Sequence, residues 1–114
     1  MLGAGMVQNL KHKFDVYATG RSDFKNNNAK KYMKFDLGNE SYELLLSWAQ
    51  PEIIIHCAAI TNLDYCEKNS NETMLVNALS VEKFFQSCNT FKFIYISSDA
   101  VFPDYNHMTS EKDI

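Results

Sequence analysis

The sequence predicts a single α/β domain built on a doubly wound parallel sheet. Three observations lead there. Two short runs, Ile53-Ile54-Ile55-His56-Cys57 and Phe91-Lys92-Phe93-Ile94-Tyr95-Ile96, are rich in β-branched and aromatic residues. Such runs suit strands buried on both faces. Each ends in small or polar residues, Ala58-Ala59 after the first and Ser97-Ser98-Asp99 after the second. In doubly wound sheets ligands sit just beyond the carboxyl ends of the strands. Between the runs, Met74, Leu75, Ala78, Leu79, Val81, Phe84 and Phe85 recur at helical intervals, as expected of a crossover helix joining parallel strands.

The 114 residues suffice for one domain with one core. A hydrophobic share of 46 % with 22 % charged residues is a globular balance and excludes a disordered chain. The net charge of −3 gives no reason to expect nucleic acid or an anionic membrane surface as a partner. The apolar runs are too short to span a bilayer. Cys57, Cys66 and Cys88 cannot all pair and lack CxxC spacing, which fits a reducing, cytoplasmic compartment. His12, His56 and His107 are scattered, so no metal site is expected.

At the amino end, Gly3 and Gly5 have the spacing of the first two glycines in G-x-G-x-x-G, with Gln8 at the third position. A glycine turn opening into a helix would let a pyrophosphate approach the backbone at the helix N-terminus. That motif should follow a buried strand, normally central in the sheet, and only Met1 and Leu2 precede it. The sheet is therefore expected to be truncated, without its first strand.

Phe14 to Thr19 reads as the next strand, ending in Gly20-Arg21-Ser22. An acidic residue at this place would bond the ribose 2′-hydroxyl of NAD, whereas an arginine accommodates the 2′-phosphate of NADP. Arg21, 18 residues beyond Gly3, favours NADP(H) over NAD(H). The polar stretch from Asp23 to Lys31 reads as a loop. Tyr32 to Leu37 reads as a short strand whose end, Asp36-Leu37, either contacts an adenine ring or simply begins the following turn.

A helix is expected from about Glu40 to Ala49, capped by Asn39 and ended by Pro51, with Trp48 as a packing residue. After the Ile53–Cys57 strand, Cys57, Ala58 and Ala59 would let a cofactor lie against the backbone. His56 reads as a hydrogen-bonded core histidine and Cys57 as a small buried hydrophobe. A long helix is expected from Ser70 to Cys88, with Asn69 and Glu72 at capping-box spacing. Asn77 lies within its apolar stripe, so burial requires hydrogen bonds. It either braces the loop after the Ile53–Cys57 strand or is satisfied within the core. Residues 103–114 read as an extended polar segment.

Together these stretches resemble the extended short-chain dehydrogenase/reductase superfamily, and within it the dTDP-4-dehydrorhamnose reductases. The resemblance rests on Gly3-Ala4-Gly5-Met6-Val7, Asp36-Leu37, Ile55-His56-Cys57-Ala58-Ala59-Ile60-Thr61, Val76-Asn77-Ala78 and, most strongly, Ile94 to Phe102. It implies a Rossmann-type domain over residues 1–114, partial at both ends, from an enzyme that reduces a keto-sugar nucleotide with a nicotinamide cofactor. It further implies that Ser98 fills the catalytic Ser/Thr position, holding the substrate carbonyl, with Asp99 as a neighbouring helper. Gly3, Gly5, Met6, Val7, Arg21, Asp36, Leu37, Ala58, Ala59 and Thr61 would line the cofactor, and Asn77 would support that wall.

The family's proton donor is a Tyr with a Lys four residues later. Tyr17, Tyr32, Tyr42, Tyr65, Tyr95 and Tyr105 are followed at that distance by Arg21, Asp36, Leu46, Asn69, Asp99 and Thr109. None supplies the lysine that would tune the general acid. The family's carboxy-terminal sugar-nucleotide region is also missing, and Ala100 stands where an aromatic is usual. An alternative follows from the same blocks: a non-catalytic module similar to the regulatory subunit of methionine adenosyltransferase.

Overall fold

Parallel strands and the helices between them organise the chain, as a computed structural model describes for residues 2–23, 28–87 and 92–98. The order is α1 (Leu2–Leu10), β1 (Tyr17–Gly20), β2 (Lys31–Lys34), α2 (Tyr42–Ala49), β3 (Ile53–His56), α3 (Leu63–Lys68), α4 (Ser70–Met74), a π-helical turn (Leu75–Leu79), α5 (Ser80–Gln86) and β4 (Lys92–Tyr95). β1 pairs in parallel with β2, Tyr17 opposite Lys31, and β3 with β4, Ile53 opposite Lys92. These are two separate two-stranded sheets; no ladder joins β1 to β3 among the described residues. The short parallel strands agree with the expected α/β class; among the described residues they stand as two half-sheets rather than as the one sheet expected.

One aromatic cluster holds both sheets. Phe35, Tyr42, Leu45 and Phe84 are buried together, and Met33 of β2, Ile54 of β3 and Phe93 of β4 pack against them. The Tyr42 ring meets Phe84 edge-on at 4.5 Å and Phe35 at 5.9 Å, while Phe84 stacks on Phe93 at 5.8 Å. Such pairs add about 0.5–1.5 kcal/mol beyond area burial. Trp48 of α2 lies edge-on to Tyr17 of β1 at 5.1 Å, a packing role.

Several local expectations change. The glycine turn is absent: Gly3 and Gly5 lie inside α1, and neither has positive φ. α2 starts after Ser41 rather than Asn39, because Asn39 instead donates its amide to the Asp36 carboxylate at 2.9 Å. Phe14 is exposed, its N–H held by the Leu10 carbonyl, so β1 begins only at Tyr17. Asn69 and Glu72 form no capping box. The Asn69 amide turns back to the Tyr65 carbonyl, and Glu72 accepts from the Tyr65 hydroxyl at 2.6 Å.

The long helix is interrupted by the π-helical turn, which carries an extra residue and shifts the buried stripe. Val76, Ser80 and Phe84 face the core, whereas Met74, Leu75, Leu79 and Phe85 are exposed. Ser80 tolerates burial because its hydroxyl donates to the Val76 carbonyl at 2.6 Å. The strand Ile53-Ile54-Ile55 is likewise not sealed on both faces: Ile53 is 45 % exposed. No helix among the described residues is long and apolar enough to cross a membrane.

His56 ends β3 at 5 % exposure, among the rings of Phe84, Phe93 and Tyr95. It is a core histidine, but its Nε2 has no hydrogen-bond partner among the described residues, which corrects the expectation of a satisfied ring. Burial pushes its pKa below the ordinary 6.5. Between that lowered value and 6.5 the unfolded chain binds a proton that the folded chain refuses. The stabilising difference is complete above 6.5 and is lost as pH falls from there through the folded value, by at most about 1.4 kcal/mol per pH unit. The urea midpoint is expected to drop between pH 7.5 and 5.5, and His56→Phe should flatten that drop. An unchanged slope in the variant would assign the acid sensitivity to another group.

Candidate functional site at the carboxyl ends of the strands

Each strand delivers a predicted residue or pair at its carboxyl end, the place where ligands sit in open α/β sheets. Arg21 follows β1 directly. Its guanidinium Nη1 lies 3.6 Å from Glu72 Oε1, and Glu72 is held in turn by the Tyr65 hydroxyl. That hydrogen bond raises the Tyr65 pKa. Glu72 and Tyr65 were not legible as neighbours of Arg21 from sequence; Glu72 carried only a capping signal. Both ends of the ion pair are well exposed, which places it in the class worth about 0–1 kcal/mol.

Asp36 and Leu37 follow β2. The Asp36 carboxylate accepts from the Gly38 N–H at 3.0 Å and from the Asn39 amide, so it serves the turn. Those two bonds, the Gly38 one foremost, lower its pKa, with a smaller contribution from the Arg21 charge. Leu37 packs against the core, and its carbonyl accepts from the Tyr42 hydroxyl at 2.7 Å.

After β3, Ala58, Ala59 and Thr61 are exposed, presenting small side chains to solvent. Burial raises the pKa of the Cys57 thiol, which keeps it protonated and unreactive. The loop is fixed by Asn77 in the π-helical turn. Asn77 Oδ1 accepts from the Ile60 N–H at 2.8 Å, and its Nδ2 donates to the Ile60 carbonyl at 2.9 Å. The Cys66 thiol also reaches the Ile60 carbonyl at 3.5 Å. Of the two roles open to Asn77 in the sequence, this geometry is the loop brace.

α1 completes the cluster. A Cβ built on Gly3 would stand 3.8 Å from Cys57 Cβ, so the first turn of α1 lies against the end of β3. The same construction on Gly5 meets nothing within 4 Å. The N–H groups of Leu2, Gly3 and Ala4 have no carbonyl four residues back within the helix. Met6 and Val7 are half-buried in the following turn. Ser98 lies beyond β4 and is exposed, while Asp99 falls outside the described residues. Among the described residues no group of His, Cys, Asp or Glu side chains could hold a metal ion.

The arrangement therefore brings Gly3 to the end of β3, Arg21 to Glu72 and near Asp36, and Asn77 to the Ala58–Thr61 loop. A family model described as the RmlD substrate binding domain matches residues 1–113. Neither the curated proteins nor the solved structures yield a significant match.

Proposed function

The chain belongs to the RmlD substrate binding domain family, and from that premise we propose that it is the dinucleotide-binding part of an NADPH-dependent reductase acting on a dTDP-4-keto sugar. The observation that carries this reading is the seat of the first turn of α1 against the end of β3. The N–H groups of that turn and the open space at Gly5 suit a pyrophosphate. The residues present fit such a cofactor. Arg21 would take the 2′-phosphate, leaving the exposed Glu72 for a group of higher charge. The Ala58–Thr61 loop would lie along the cofactor, with Asn77 fixing its backbone. The cofactor supplies the hydride; Ser98 would hold the substrate carbonyl, with Asp99 beside it. The enzyme would act in the cytoplasm.

The test is a pair of titrations, NADPH and NADH, followed by nicotinamide fluorescence. A charge-assisted hydrogen bond to phosphate is worth about 1.5–3 kcal/mol. Arg21→Ala is thus expected to weaken NADPH about tenfold or more and to leave NADH nearly unchanged. Equal weakening of both would remove Arg21 as the 2′-phosphate contact.

A second reading rests on the His56-Cys57-Ala58-Ala59 and Ile96-Ser97-Ser98-Asp99 blocks. In it the chain binds and regulates without catalysis, as a module similar to the methionine adenosyltransferase regulatory subunit. The two readings part at turnover. The 114 residues should oxidise no NADPH with a dTDP-4-keto sugar, and measurable turnover would show that the Tyr/Lys pair is not required.

A further inference from the structure

Two carboxylates close to the strand ends are engaged by groups other than Arg21. Asp23 is drawn to Lys34 at 3.2 Å, and Asp36 gives one oxygen to the Gly38 N–H and the other to the Asn39 amide. The carboxylate that stands beside Arg21 is Glu72, carried there by α4, with Oε1 at 3.6 Å from the guanidinium. A charge-assisted hydrogen bond between such groups is about 2.7–2.9 Å long, so this contact is a loose ion pair. The two side chains remain 68 % and 43 % exposed, and both are open to a ligand.

Glu72 has a second holder. Its Oε2 accepts from the Tyr65 hydroxyl at 2.6 Å, across the break between α3 and α4. The break is itself tied down. Asn69 donates its N–H to the Tyr65 carbonyl at 2.9 Å, and Thr73 donates its own to the Asn69 carbonyl at 3.0 Å. On the other side Asn62 caps α3, its Oδ1 accepting from the Tyr65 N–H at 2.8 Å. The Tyr65 backbone is therefore fixed through both its N–H and its carbonyl, and its hydroxyl holds Glu72 with Oε1 towards Arg21. The Arg21 charge also favours ionisation of Asp36 and of Tyr65, a small influence at each, which sets these groups in one neighbourhood.

An arginine alone at this place answers to the 2′-phosphate of NADP(H). A carboxylate beside it answers to the other cofactor. It accepts from a ribose 2′-hydroxyl, and it repels a phosphate that carries a charge of about −1.5 to −2. Resting on the reading of the strand ends as a dinucleotide site, we propose that Glu72, oriented by Tyr65, is a second cofactor-discriminating residue. It draws NAD(H) through the 2′-hydroxyl and opposes the 2′-phosphate that Arg21 attracts. The preference for NADPH over NADH is then the difference between two opposed side chains, one from a strand end and one from a later helix.

The experiment titrates the full chain and its variants with NADPH and with NADH at low salt, followed by nicotinamide fluorescence. Glu72→Gln keeps an oxygen for Tyr65 and removes only the charge, whereas Glu72→Ala removes charge and acceptor together. Both are expected to tighten NADPH about fivefold, a gain that shrinks at about 0.5 M salt because exposed charges are screened. NADH is expected to weaken about fivefold in Glu72→Ala and less in Glu72→Gln, whose amide oxygen still accepts. Tyr65→Phe leaves the charge and loses the hold, so it should weaken NADH and leave NADPH unchanged. Weaker NADPH in the Glu72 variants would overturn the proposal, since Glu72 would then only steady Arg21. So would the two cofactors moving together, or neither moving, and in each of these cases the dinucleotide reading would stand. Binding of neither cofactor by the unaltered chain would instead overturn that reading, and the role of Glu72 with it.

Discussion

Phe84→Ala is expected to abolish cooperative unfolding of the domain. Phe84 is 3 % exposed and contacts rings from three elements, Tyr42 of α2, His56 of β3 and Phe93 of β4. Truncating a buried phenylalanine removes its transfer free energy and leaves a cavity, together about 3–5 kcal/mol. Small domains have only about 5–15 kcal/mol in all. With five buried hydrophobic residues in the described core, this chain belongs near the low end. The loss also falls where the two half-sheets meet, so no neighbouring layer can close over the cavity. Urea unfolding followed by tryptophan fluorescence should show a sloping, non-cooperative curve. Phe85→Ala is the matched control: Phe85 is 71 % exposed, and its truncation should shift the midpoint little. Equal effects at the two positions would mean that the π-helical turn does not set the buried face as described.

Asn77→Ala should be the next most damaging change. One side chain satisfies both the N–H and the C=O of Ile60, in a part-buried setting. Removing it orphans two backbone groups, at about 1–3 kcal/mol each where water cannot replace the amide. Asn77→Asp separates hydrogen bonding from size. Its carboxylate can still accept from the Ile60 N–H but has no proton for the Ile60 carbonyl, so it should recover only part of the loss. Ile60 amide exchange checks this directly, and protection that survives in Asn77→Ala would assign the loop to other restraints. Because the same loop carries Ala58, Ala59 and Thr61, both variants should also weaken any dinucleotide that lies along it.

The strand centres were legible because their signal is local. Ile53-Ile54-Ile55 and Phe93-Ile94 have the branching and aromatic content that a pleated backbone favours, whatever surrounds them. Their burial was not legible, since it depends on what stands beside them. The helix phase failed for a different reason. A π-helical turn adds a residue that no 3.6-residue pattern anticipates, and Ser80 occupies a core position through a bond to its own helix that composition does not reveal. Gly3 and Gly5 matched a turn motif yet adopt helix, because glycine permits both and the surroundings decide. At the site, strand ends located Arg21, Asp36 and the Ala58–Thr61 loop, but not what holds them. Glu72 reaches Arg21 across 51 residues, a relation created by tertiary folding and not by any spacing in the chain.

The division of the sheet also bears on the order in which the molecule assembles. β1 meets β2 across 14 residues, from Tyr17 to Lys31, whereas β3 meets β4 across 39, from Ile53 to Lys92. Closing the longer loop costs about 0.9 kcal/mol more in chain entropy. The amino-terminal half can therefore register while the carboxy-terminal half is still being synthesised. Trp48 and Leu45, arriving next on α2, then present that finished half with an apolar surface on which Ile54 and Phe93 settle. Folding in this picture is sequential along the ribosome, with α2 as the template that each half touches in turn.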